Sequence, residues 1–212
     1  MLPNAIDPTE YVPDPSAHPP HLVFVSNHIE RKGIVELTRA IDRLRTAGVE
    51  FRATIAGAGP LSEHAEALAS THDEVEYVGF VPEARKRELL SEANVYVLPT
   101  YAEGLPIAVL EAMAGANAIV STDVGAIPSV VDDRNGAVVP PGDVDELTAE
   151  LDRLLSDPAK IERMGRVSRR PVEASYAWDG IIEDLLALYA GLVTDFSEES
   201  FRTGTAAATV EQ

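Results

Sequence analysis

The chain has no cysteine, which excludes disulfides, thiolate metal centres and a cysteine nucleophile. It has only three lysines, Lys32, Lys86 and Lys160, among 17 basic residues set against 35 acidic ones, for a net charge of −18. No basic stripe is present to neutralise phosphates, which argues against a nucleic-acid-binding surface. Apolar runs stop short of the roughly 18 residues that suggest a membrane span, and the N-terminus lacks a basic region followed by an apolar core. A cytoplasmic protein is expected, with peripheral membrane association left open. The acid is spread along the chain. Its self-repulsion is screened near about 1 M salt, where the Debye length is roughly 3 Å. An acidic, lysine-poor surface fits a halophilic protein of a salt-rich cytoplasm; an ordinary acidic domain is the alternative.

What is present suits one α/β domain of 212 residues. Residues 1–20 carry six prolines and read as an extended linker. Residues 21–193 alternate between two periodicities. Strand-like runs are Leu22–Ser26, Phe51–Ala56, Val75–Val78, Val95–Leu98, Ala118–Ser121 and Ala137–Val139. Helical spacing appears in Ile34, Leu37, Ile41 and Leu44, in Leu61–Ser70, in Glu83–Ala93, and in Val144, Leu147, Leu151 and Leu154. A last apolar stripe runs through Trp178, Ile181, Ile182, Leu185, Leu188, Tyr189 and Leu192. This alternation predicts a Rossmann-like parallel sheet with helices on both faces and a ligand beyond the carboxyl ends of its strands. The polar tail, residues 194–212, reads as disordered.

The most informative stretch is Glu103-Gly-Leu-Pro-Ile-Ala-Val-Leu-Glu111. The β-rich Val95–Leu98 leads into it and the helix-like Ile107–Ala114 leads out, so Glu103 falls on a strand-to-helix loop and Glu111 about two turns into the helix. Pro106 suits the first helical turn. The free amides of Gly104, Leu105, Ile107 and Ala108 then favour an anion such as phosphate. Carboxylates beside a phosphate-binding helix end suit a ligand with both hydroxyls and a diphosphate, such as a nucleotide sugar. Arg31-Lys32-Gly33 follows the first strand, where two cations could neutralise that diphosphate; a solvated loop is the plainer reading. Gly57-Ala58-Gly59-Pro60 could let backbone approach a ligand or form a simple turn. It lacks the third glycine of the dinucleotide fingerprint.

Other candidates read more plainly. His28 is expected to be a polar surface residue rather than an acid or base. His18, His21, His64 and His72 lack metal-ligand spacing. Asp143-Val144-Asp145 imitates a metal-binding Asp-x-Asp, but its place after Pro140-Pro141-Gly142 and before a helix favours N-capping. Tyr96, Tyr101 and Phe80 read as core or rim.

Taken in order, these elements resemble the C-terminal, donor-binding half of the GT-B retaining glycosyltransferases of family 4, the glycosyl transferases group 1. The resemblance covers about residues 3 to 192. It rests on Pro3-Asn4-Ala5-Ile6-Asp7, Arg31-Lys32-Gly33, Ala56-Gly-Ala-Gly-Pro60, Val78-Gly-Phe-Val81, Glu103-x7-Glu111-Ala-Met, Asp123-Val-Gly125, Asn135-Gly136 and Tyr176-Ala-Trp178. It implies that Glu111 holds the ribose hydroxyls and that Glu103 contacts the donor sugar. The amides at Gly104, Leu105, Ile107 and Ala108 would line sugar and phosphates. Lys32 would neutralise the leaving diphosphate. Gly57 would lie beside the donor, and the backbone of Gly79, Phe80 and Val81 would meet the nucleobase. Sugar transfer would retain anomeric configuration, without a cofactor or bound metal.

Two departures qualify this. Many members carry Gly-Arg where this chain has Ser26-Asn27, and Arg31 is expected to replace the lost cation. The resemblance also implies an N-terminal acceptor-binding domain, and without it half a cleft cannot orient both reactants. The chain would be a fragment, or a subunit completed by a second polypeptide, with little activity alone. The alternatives are a non-catalytic nucleotide-sugar-binding module and half of a sugar-nucleotide epimerase.

Overall fold

Six strands, all paired in parallel, form a single sheet with the order β3-β2-β1-β4-β5-β6. They are β1 (His21–Val25), β2 (Arg52–Ala56), β3 (Val75–Gly79), β4 (Val95–Leu98), β5 (Ala118–Thr122) and β6 (Gly136–Val139). Each expected strand is present with its ends within one residue of the sequence reading. The structure is a computed structural model that describes residues 4–14, 18–183 and 185–190. The central strands are buried along their whole length in β4 and β5 and nearly so in β1. That explains why they read as continuous apolar runs rather than alternating ones.

The connecting helices are α1 (Ile34–Thr46), α2 (Ser62–Thr71), α3 (Glu83–Glu92), α4 (Ile107–Ala114), α5 (Val144–Leu155) and α6 (Pro158–Pro171). On one face α1 packs beside α2 and α5; on the other α4 packs beside α3 and α6. The amphipathic α1 turns Leu37, Ile41 and Leu44 into the core. By contrast, α4 is buried almost all round, from Val109 to Ala114, as expected of a helix without a polar face.

Helix α6 is absent from the sequence reading. Its buried positions are Ile161, Met164, Gly165 and Ser168, so two of four are not apolar side chains and the periodic signal is faint. Its start does carry a local signature, since the Asp157 side chain accepts from the Lys160 amide at 2.9 Å and Pro158 opens the first turn.

The ends of the domain differ from their sequence reading. The described residues of the proline-rich stretch are packed against the domain. Ile6 and Tyr11 are buried, and Ile6 bridges in parallel to Ala177. Arg169 reaches across to donate to the carbonyls of Pro8, Tyr11 and Ala114 at 3.1, 2.9 and 2.6 Å. The apolar stripe of the last helical residues, 178–183 and 185–190, buries only Ile181; Trp178, Ile182, Leu188 and Tyr189 remain exposed. No described residue covers them. Leu192 and residues 194–212 lie outside the described residues.

Candidate functional site

The sheet order reverses between β1 and β4, and the loops leaving their carboxyl ends part there, which is where open parallel sheets bind ligands. A cavity of about 650 Å³ occupies this crevice, lined by Val25, Ser26, Asn27 and Lys32 from the first loop, Gly57 after β2, Phe80, Val81, Glu83 and Lys86 after β3, and Ile107, Ala108 and Glu111 from α4. Lys32 and Glu111 therefore share one pocket, although 79 residues separate them (111 − 32).

Beside it, the loops after β1 and β4 are bound to one another. The Arg31 carbonyl accepts from the Tyr101 amide and from the Thr100 hydroxyl, each at 2.8 Å. The Lys32 ammonium is ion-paired with Glu103, and Thr100 Oγ1 stands 3.3 Å from the same carboxylate oxygen. Glu103 thus joins the site through Lys32. Arg31 takes another position. Its half-exposed guanidinium donates to the Ala102 carbonyl at 2.9 Å and lies 3.7 Å from Glu103, and it does not line the cavity.

The loop entering α4 has its carbonyls engaged from outside. Ala102 accepts from Arg31, Gly104 from the Ala126 amide at 2.9 Å, and Leu105 from the Asn4 side chain at 2.8 Å. Because a peptide's C=O and the following N–H point in opposite directions, fixing the Ala102 and Gly104 carbonyls orients the amides of Glu103 and Leu105, while the peptide after Leu105 leads into Pro106 and has no N–H. The amides of Gly104, Leu105, Ile107 and Ala108 have no partner among the described residues. They are free to meet an anion at a helix N-terminus. Gly125 sits at φ +56° against this loop, where a side chain would strike the carbonyls of Glu103 and Gly104.

Glu111 is buried within a helix whose neighbours are apolar. Burial of a carboxylate in such surroundings requires a partner, and Lys86 supplies it at 2.7 Å while also meeting Glu83 at 2.9 Å. Burial opposes the Lys86 charge, but its hydrogen bonds to Glu111 and Glu83 prevail and hold the ammonium above its ordinary range. On Glu111's other side is Tyr11, whose phenol is pushed up by burial and by the Glu111 charge. Lys86 was missed in the sequence because Glu83-Ala84-Arg85-Lys86-Arg87-Glu88 reads as a solvated charged face. The available signal was scarcity, since two of the three lysines line this one pocket.

Of the remaining candidates, Phe80 stands 81% exposed at the cavity's edge beside Val81, and Gly79, at φ +67°, sets the turn before it. Tyr96 is core and Tyr101 is rim, its hydroxyl donating to Glu36 at 2.9 Å. His28 is not a surface residue. It is fully buried, its Nδ1 3.1 Å from the Ser62 hydroxyl, beneath the Gly57–Gly59 turn. Burial lowers its pKa. Gly57 permits this, because its φ of +126° and its contact with the Ser26 carbonyl leave no room for a Cβ. Asp143 caps α5 by accepting from the Glu146 amide at 2.9 Å, while Asp145 pairs with Arg43. Among the described residues no three His, Asp or Glu side chains gather as a metal-ion set, and no helix is long and apolar enough to cross a membrane.

Known proteins share this architecture. The MMP alpha-(1->4)-mannosyltransferase of Mycolicibacterium hassiacum is 31% identical over 173 residues, covering 79% of this chain and 42% of the relative. Among solved structures, sucrose-phosphate synthase of Thermosynechococcus elongatus matches with a TM-score of 0.78 and 25% identity over 92% of this chain and 52% of its own. Anabaena HepE in complex with UDP-glucose matches with a TM-score of 0.76 and 16% identity over 90% and 57%, a likeness of fold. The chain spans about half the length of the curated relatives it matches. Residues 19–157 fit the family model for glycosyl transferases group 1. That span contains the whole sheet, both clamped loops and both glutamates, so the chain belongs to the glycosyl transferases group 1 and corresponds to the C-terminal half of their GT-B fold.

Proposed function

We propose that this chain is the donor-binding half of a retaining glycosyltransferase and binds a nucleotide sugar in the cavity between β1 and β4. In this reading Glu111 accepts from the ribose hydroxyls and Glu103 from hydroxyls of the sugar. Lys32 and the free amides at the start of α4 take the diphosphate, supplying positive charge without a resident metal. Gly57 and the Gly79–Val81 backbone border the nucleoside. The acceptor hydroxyl's oxygen would bond to the anomeric carbon as that carbon's bond to the diphosphate breaks, its proton would pass to the departing phosphate oxygen, and the nucleoside diphosphate would leave.

The observation that carries this reading is the convergence on one cavity of Lys32, Glu111 and the first two residues of α4, Ile107 and Ala108, whose amides have no partner among the described residues. The mannosyltransferase's name agrees with sugar transfer, and that of the UDP-glucose complex with a nucleotide-sugar donor. The acceptor would be held by an N-terminal domain, in the same or a separate polypeptide of a salt-rich cytoplasm, since orientation of two reactants contributes several kcal/mol (roughly 7–11 at best) to barrier lowering.

Titration with UDP, GDP and ADP and with their sugar conjugates tests the reading. Glu111→Ala should weaken every ribonucleotide by about 10-fold or more, as expected for a charge-assisted hydrogen bond. Glu103→Ala should weaken the sugar conjugates and spare the free diphosphates. Equal losses for both ligand types in Glu103→Ala would overturn the assignment of roles. Sugar transfer restored by adding an acceptor domain would separate a working subunit from a binding module.

A further inference from the structure

We infer that Lys86 is a specificity residue that reads the donor's ribose together with Glu111, the lysine donating and the glutamate accepting. The inference rests on the nucleotide reading above and goes beyond it, because it concerns a side chain with no part in that scheme.

Three observations support it. First, Lys86 lines the same cavity as Glu111, so the ammonium meets the ligand space as well as its carboxylate partner. Second, an ammonium has three N–H donors. Glu111 takes one at 2.7 Å and Glu83 a second at 2.9 Å, and no third partner is present among the described residues. One donor therefore remains for a ligand. Third, basic residues elsewhere in this chain are nearly all arginine, yet both cavity cations are lysine. A compact ammonium can turn its donors to separate acceptors, whereas a planar guanidinium presents a fixed fork suited to one carboxylate or phosphate.

The chemistry these groups match is a vicinal diol. Each ribose hydroxyl has an O–H to give and lone pairs to receive. A carboxylate beside an ammonium offers one acceptor and one donor within 2.7 Å of each other, the complement of two adjacent hydroxyls. A deoxygenated sugar would leave the third ammonium donor and the carboxylate's remaining lone pairs without that exchange, and polar atoms left unmatched beneath a ligand are what gives hydroxyl-reading sites their discrimination.

The scarcity of lysine makes the test direct. With three lysines in the chain, carbon-13 labelling at Cε gives one signal each from Lys32, Lys86 and Lys160, assigned by loss of a peak in Lys32→Arg and Lys86→Arg. The intact wild-type protein is titrated with UDP, GDP and ADP, and with the 2′,3′-dideoxy form of each. The Lys32 signal should move with either form, because both carry the diphosphate. The Lys86 signal should move with the ribonucleotide alone. In parallel, Lys86→Met should lower the ratio of ribonucleotide to dideoxynucleotide affinity by about 10-fold or more. A Lys86 signal that follows both forms equally would make it a phosphate cation and overturn the inference. A silent Lys86 beside a responding Lys32 would do so too, and in both cases the donor reading would stand. Silence at both lysines with every nucleotide would overturn the donor reading and this assignment with it.

Discussion

Gly125 offers the sharpest perturbation of the donor loop, since it touches that loop without belonging to it. Its φ of +56° is left-handed, a conformation that costs an L side chain roughly 1–2 kcal/mol. In Gly125→Ala the new Cβ would stand 2.6 Å from the Gly104 carbonyl oxygen and closer still to that of Glu103. To restore ordinary contact the Glu103–Gly104 backbone must retreat by about 1 Å. A retreat of that size would break the hydrogen bonds to the donor proposed for Glu103 and for the Leu105 amide. One charge-assisted and one neutral bond together amount to about 2–4 kcal/mol, or about 30- to 700-fold in donor affinity. The fold should survive, because the strain is small beside a domain stability of roughly 5–15 kcal/mol. Gly48→Ala is the control. Gly48 has φ +80° but nothing within 4 Å of a built Cβ, so it should lose about the same 1–2 kcal/mol of stability and no donor affinity. Calorimetric titration with the nucleotide sugar reads the affinity and urea unfolding reads the stability. Wild-type affinity in Gly125→Ala, or equal affinity losses in the two variants, would refute the account of how this loop is held.

Two further outcomes concern stability. His21 is buried and within 2.9 Å of the Thr54 hydroxyl, and burial lowers its pKa from 6.5 to about 4. Between those values the unfolded chain binds the proton and the folded chain does not, so this contribution is complete above the upper value and is lost as pH falls toward the lower. Urea unfolding should show roughly 2 kcal/mol less stability from this histidine at about pH 5 than at about pH 7.5. His28, lowered by burial, acts in the same direction. A His21→Gln variant with an unchanged acid slope would remove His21 from the account. Salt gives the second outcome: with a net charge of −18, the melting midpoint should rise as KCl increases from about 0.1 M to about 2 M, where screening shortens to a few ångströms. A flat or falling midpoint would sink the halophilic reading.

The sequence by itself determined what depends on near neighbours. Alternating periodicities marked all six strands, because a buried parallel strand must be a short apolar run wherever it lies in the sheet. The spacing of Glu103, Pro106 and Glu111 placed a loop, a helix start and a helical turn, all consequences of local geometry. Asp143 was legible as a cap for the same reason. Tertiary structure decided which distant groups meet. The strand order sets β1 beside β4, so Lys32 finds Glu103 and Arg31 finds the Ala102 carbonyl across about 70 residues of chain. Asn4 reaches Leu105, Lys86 compensates a carboxylate buried on the next helix, and His28 disappears beneath a glycine turn. None of these follows from periodicity, because a charged or polar side chain reads alike whether solvent or a buried partner awaits it. The partner is chosen only when the sheet brings separate loops to one edge.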